Sequence, residues 1–117
     1  MEDYYNGITI LPGISCRGTV LRVENTADLA GLKAAAALAK AKGLDMKAFF
    51  HEYARIYAMA VPQSVQELLY SIDTHAPAYL RVNVNVQMAD EFREAFNIQE
   101  GDGMYIKPED RLMTWGK

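Results

Sequence analysis

Two histidines leave this 117-residue chain little general acid–base capacity, although buried carboxylates can substitute, and the neighbours of each histidine decide what it can do. His51-Glu52 opens like the zinc-binding H-E-x-x-H helix, in which two imidazoles one turn apart share an ion. The fifth position is Arg55, which stays cationic and cannot ligate zinc. His51 therefore reads as the polar flank of an amphipathic helix. His75 stands in a loop with no cluster of metal-ligating residues read around it. Cys16, the single cysteine, has no base beside it in sequence and reads as a small hydrophobe. The carboxylates Glu91, Glu94, Glu100, Asp102, Glu109 and Asp110 crowd the C-terminal third and read as a solvated face. No G-x-S-x-G elbow and no Walker or Rossmann glycine pattern is present, and Gly101-Asp102-Gly103 reads as a turn. The expectation is a protein with no catalytic residue, no metal and no cofactor, and so not an enzyme.

The elements that would position these residues follow from periodicity. Residues 8–11 and 14–23 read as strands about a Pro12-Gly13 turn. A first helix is expected from Asn25 as N-cap, with Asp28 at N3, to Gly43 as the residue past its end. Asp45 caps a second, whose stripe is Met46, Phe49, Phe50, Tyr53, Ile56, Tyr57 and Ala60. Ser64 and Glu67 match a capping box for a third, with Val65, Leu68, Leu69 and Ile72 inward. Over residues 80–88 the pattern switches to alternation, which predicts a half-buried strand. A short helix at 90–96 and a hairpin of 104–107 with 111–115 complete the order β-β-α-α-α-β-α-β-β. The fold class expected is α+β: one domain over residues 1–117, a three-helix segment packed on a small, mostly antiparallel sheet. Phe49, Phe50, Tyr53, Leu68, Leu69, Val82, Val84 and Phe92 should be buried together.

Half the residues are hydrophobic, the formal charge is −3 and the pI about 5.3. Such a balance disfavours non-specific nucleic-acid binding, which draws on a basic face. The acidic, aromatic N-terminus is not expected to be a secretion signal, and no apolar run approaches a membrane span. With one cysteine, no disulfide framework is expected. A cytoplasmic protein is the expectation.

The strand expected at 80–88 would present Arg81, Asn83, Asn85 and Gln87 on one polar face carrying a single charge. Such a face is either solvated or meets a protein partner or its own copy, because paired amides can be buried at modest cost. Residues 86–115 carry a second signal. Glu91, Phe92, Arg93, Ala95, Phe96, Ile98, Gly101 and Asp102 follow the pattern E-h-R-x-A-h-x-I-x-x-G-D, where h is hydrophobic. This segment resembles the swapped-hairpin DNA-binding domains of AbrB and MazE-type regulators. The resemblance implies an intertwined dimer with Arg81, Arg93, Lys107 and Arg111 toward DNA. Two functions are thus expected in order. The first is a non-catalytic binding protein acting through a macromolecular partner, such as a small inhibitor or adaptor of phage or mobile-element type. The alternative is a sequence-specific DNA-binding regulator.

Overall fold

The computed structural model describes residues 1–114 and is built around one long helix. In chain order the elements are α1 (Glu2–Asn6), β1 (Thr9–Leu11), β2 (Ile14–Ser15), α2 (Gly18–Ala41), α3 (Met46–Tyr57), α4 (Gln63–Ile72), α5 (Ala78–Gln87), α6 (Asp90–Ala95) and a 3-10 turn (Pro108–Asp110). β1 and β2 form a two-stranded antiparallel hairpin, with Gly13 at φ 78° supplying the left-handed turn residue. Helix α2 buries Gly18, Leu21, Asn25, Leu29, Leu32, Ala36 and Ala39, a stripe at spacings of three and four. Its N-terminal half faces a cluster of Tyr5, Cys16, Leu21, Leu29, Ala76, Leu80, Val84 and Met88. Its C-terminal half faces Leu32, Ala36, Phe50, Val86 and Ala89, flanked by Phe49, Tyr53, Val82 and Phe92.

Several expectations hold locally. Asp45 does cap α3, its side chain accepting from the Ala48 amide at 3.1 Å, and Gly43 takes a left-handed φ of 71° after α2. The element expected as a strand at 80–88 is instead helix α5. Its alternating apolar residues are two i,i+4 stripes on opposite sides of one helix. Leu80, Val84 and Met88 enter the first cluster, and Val82 and Val86 enter the second. A helix apolar on two sides mimics the period of a strand.

Three further elements differ. Residues 18–23, the later part of the strand expected over 14–23, are the start of α2, because the stripe that passes through Asn25 extends back to Gly18. Asn25 is consequently 1% exposed in mid-helix and is not a cap. Helix α4 has no side-chain cap bond and no buried residue, and Leu68 is 58% exposed, so α4 does not belong to the core. Among the described residues the expected C-terminal hairpin does not form. Ile106 and Leu112 pack on the first cluster, the Arg111 Nε donates to the Ile106 carbonyl at 3.0 Å, and residues 108–110 coil into the 3-10 turn. Trp115, the end of that expected hairpin, lies outside the described residues.

Candidate functional site

Two carboxylates four residues apart on a helix lie on one face, about 6 Å apart along the axis. Glu24 and Asp28 hold this relation on α2, each half-buried and flanking the inward stripe. The start of α2 is anchored one and a half turns upstream. The Gly18 amide donates to the Asn6 Oδ1 at 2.7 Å, and Arg22 pairs with Glu2 at 2.6 Å. A Cβ on Gly18 would stand 2.2 Å from the Glu2 carbonyl oxygen, so only glycine lets α1 approach this closely.

The loop between α4 and α5 faces these carboxylates. Asp73, just past α4, accepts on its Oδ1 from the His75 amide at 2.9 Å and from the His75 Nδ1 at 2.8 Å. The first bond makes a local turn, and the second fixes the imidazole's direction. The His75 amide, followed by the ring, holds the Asp73 carboxyl below the usual carboxylate range. With Nδ1 turned to Asp73, Nε2 is the free nitrogen, and it faces the Glu24 Oε2 at 3.3 Å. Ala76 and Pro77 are buried behind the ring, and Pro77 leads directly into α5.

One turn into α5, Arg81 donates from Nε and Nη2 to the two oxygens of Asp28 at 2.7 and 2.8 Å. This fork keeps Arg81 charged, its pKa raised first by the Asp28 hydrogen bonds. The guanidinium carbon also sits 4.8 Å from the centre of the Tyr57 ring. Asp73, His75 and Arg81 line one cleft of about 570 Å³, whose apolar wall includes Ile56, Tyr57 and Leu69. An oriented imidazole and a fixed guanidinium therefore line a mostly apolar groove, each tied to a carboxylate of α2. Such a set can bind an extended polar backbone and support charge on an oxygen.

The residues expected to act are distributed differently. Arg81, Asn83, Asn85 and Gln87 lie on a helix, so they do not share one face. Asn83 is exposed at the cleft, Asn85 is 1% exposed, and the Gln87 carbonyl accepts from the Arg93 Nη1 at 2.7 Å. Arg93 is turned inward and ion-paired with Asp90, Lys107 is exposed, and Arg111 bonds to its own segment. Together with Arg81 on Asp28, these cations present no common free surface for DNA. His51 stacks near Phe96 with ring centres 5.7 Å apart, and Glu52 pairs with Arg55. Sequence reasoning missed Glu24, Asp28, Asp73 and His75 as a set. The available signals were the i,i+4 carboxylates and the Asp-x-His spacing.

Residues 1–112 match Peptidase family M13, and the chain belongs to that family. It is 43% identical over 116 residues to the neutral endopeptidase of Lactococcus lactis subsp. lactis (strain IL1403), covering 98% of this chain and 18% of that protein. It is 36% identical over 115 residues to the neutral endopeptidase of Lactobacillus helveticus, again covering 98% of this chain and 18% of the relative. The chain thus spans less than a fifth of the length of these relatives. No solved structure matches it.

Membership in M13 overturns the resemblance to AbrB and MazE-type domains, whose helix–turn–Gly-Asp unit recurs by local turn chemistry. It overturns equally the non-enzymatic inhibitor or adaptor of phage or mobile-element type and the DNA-binding regulator. M13 members are zinc metallopeptidases, so the metal-free expectation and the reading built on a protein or DNA partner fall as well.

Proposed function

We propose that this chain forms part of the catalytic cleft of a zinc-dependent endopeptidase. The observation that carries the reading is that Asp73, His75 and Arg81 line one cleft while His75 and Arg81 reach back to Glu24 and Asp28 of α2, in a member of a peptidase family. Among the described residues no group of three His, Cys, Asp or Glu side chains could hold a metal ion. The donor chemistry nonetheless fits a partial site. The Glu24 carboxylate has no Lys or Arg partner among the described residues and faces the nitrogen of a histidine whose other nitrogen is engaged. Glu24 is thus the residue here that would donate to zinc, with the remaining ligands assigned to parts of the peptidase outside this span. Bound zinc would supply Lewis-acid polarisation of a peptide carbonyl and an activated water.

The chain's own residues do the rest. Asp73 holds the His75 ring with Nε2 toward Glu24, and an N–H there would donate to oxygen as negative charge builds on it. Arg81 uses two donors on Asp28 and keeps Nη1 for a peptide carbonyl or carboxylate lying along the groove. The apolar wall at Ile56, Tyr57 and Leu69 would receive a hydrophobic side chain.

The test separates these roles in the complete peptidase. Glu24→Gln is expected to lower bound zinc, measured by elemental analysis, and peptide cleavage together. His75→Phe is expected to retain zinc and lose at least about a hundredfold in kcat, in the range seen for removal of an oxyanion donor. Full zinc occupancy and full activity in Glu24→Gln would remove the reading.

A further inference from the structure

Arg81 is held at its backbone as well as at its guanidinium, and nothing in the cleft chemistry explains why. Its carbonyl oxygen accepts from the Tyr53 hydroxyl at 2.9 Å and from the Asn85 Nδ2 at 2.8 Å. Tyr53 comes from α3 and Asn85 from the next turn of α5, so the bonds join two helices at one atom. Asn85 is 1% exposed between the buried Val84 and Val86, a position where an amide is a poor helix former and costly to bury unpaired. Tyr53 has its own pKa pushed up to about 12, chiefly by burial. Tyr57 lies one turn beyond Tyr53, with ring centres 5.2 Å apart, and it is Tyr57 that covers the guanidinium. One face of α3 therefore grips both ends of the same residue, and Asp28 of α2 closes the fork from the other side.

We propose that Tyr53 and Asn85 are positioning residues that fix the first turn of α5, and with it the direction in which Arg81 presents its guanidinium to a bound peptide. The proposal rests on the cleft reading above. His75 and Arg81 are six residues apart across the entry to α5, so the pitch and rotation of this one turn set both relative to the groove. The Tyr53 bond comes from α3 and opposes rotation of this turn about the helix axis, while the Asn85 bond stays within α5 and ties the turn to the next. The energetic logic is pre-organisation: a cation already aimed loses less freedom when the peptide arrives. Binding that is equal in the ground state and the transition state appears in KM and leaves kcat alone.

The experiment compares Tyr53→Phe with wild type in the complete peptidase, using an internally quenched peptide that the wild type cleaves. Removing one hydroxyl is expected to raise KM about three- to tenfold with kcat within about twofold, the range of a single lost hydrogen bond. In an Arg81→Lys background the same change is expected to add nothing to KM, because two residues acting through one contact are not additive. An unchanged KM, or the same factor in both backgrounds, overturns the proposal and marks Tyr53 as core packing. If Tyr53→Phe does not fold, Asn85→Leu carries the same expectation, and failure of both to fold also overturns it. A wild-type peptidase that cleaves no peptide sinks the cleft reading and the proposal together, whereas cleavage indifferent to Tyr53 sinks the proposal alone.

Discussion

Arg81 and Asp28 are 53 residues apart and meet as a two-bonded fork, with side chains only 23% and 14% exposed. Low exposure makes the pair sensitive to loss of either partner, since the survivor is left charged and poorly solvated. Asp28→Asn keeps the shape and removes the charge. It should destabilise the fold by about 1–3 kcal/mol, measured by urea denaturation. An effect indistinguishable from zero would mean that water already serves the guanidinium.

The Asp73 carboxyl is held low, first by the His75 amide and then by the His75 ring. A carboxyl depressed in the folded state contributes stability above its unfolded pKa and loses it as pH falls through the folded value. The contribution should therefore be complete above the ordinary aspartate range and disappear below it. Asp73→Asn should lower the neutral plateau of a stability–pH curve while leaving its acid end nearly in place, so that the acid limb flattens. The His75 amide resonance, followed by NMR, should titrate with Asp73 and stop doing so in the variant.

Leu29 is 0% exposed and lies where α2 faces the first cluster. Leu29→Ala should cost about 2–5 kcal/mol through lost transfer free energy and the cavity left behind. Thermal or urea unfolding measures it directly, and a loss below about 1 kcal/mol would show that the neighbours collapse into the space.

Gly18 tests the contact between α1 and α2. A methyl group there meets the Glu2 backbone, which belongs to a helix and cannot rotate away as a side chain would. Gly18→Ala should cost about 1–3 kcal/mol as an overpacking change, although alanine is the better helix former. A more stable variant would show that α1 separates freely from α2.

Much of the helical frame was legible because its signals are local. The Asp45 cap, the left-handed Gly43 and the stripe from Met46 to Tyr57 each depend on residues within a few positions. Helix α5 reads as a strand because burial on two sides superposes two i,i+4 stripes, and their sum alternates like a strand. The site was illegible for a related reason. A helix start at Asn25 leaves Glu24 outside the helix and Asp28 at its positive dipole end, so their shared face does not arise. The meetings of Glu24 with His75 and of Asp28 with Arg81 span about 50 residues, and packing alone brings them together. The H-E pair at His51, by contrast, drew attention through its local pattern and sits against Phe96, away from this cleft.

Helix α2 has 24 residues and so runs about 36 Å as one rod, against a longest molecular extent of 42 Å. Glu24 and Asp28 are not adjusted separately: whatever tilts the rod moves both in fixed proportion. Ala36 and Ala39, buried far along the same rod, are a remote handle on the cleft. A bulkier side chain at either would pry α2 from its neighbours and swing both carboxylates, one toward or away from His75, the other from Arg81. Bulky substitutions along this stripe of α2 should therefore loosen the Glu24–His75 and Asp28–Arg81 contacts without touching either pair.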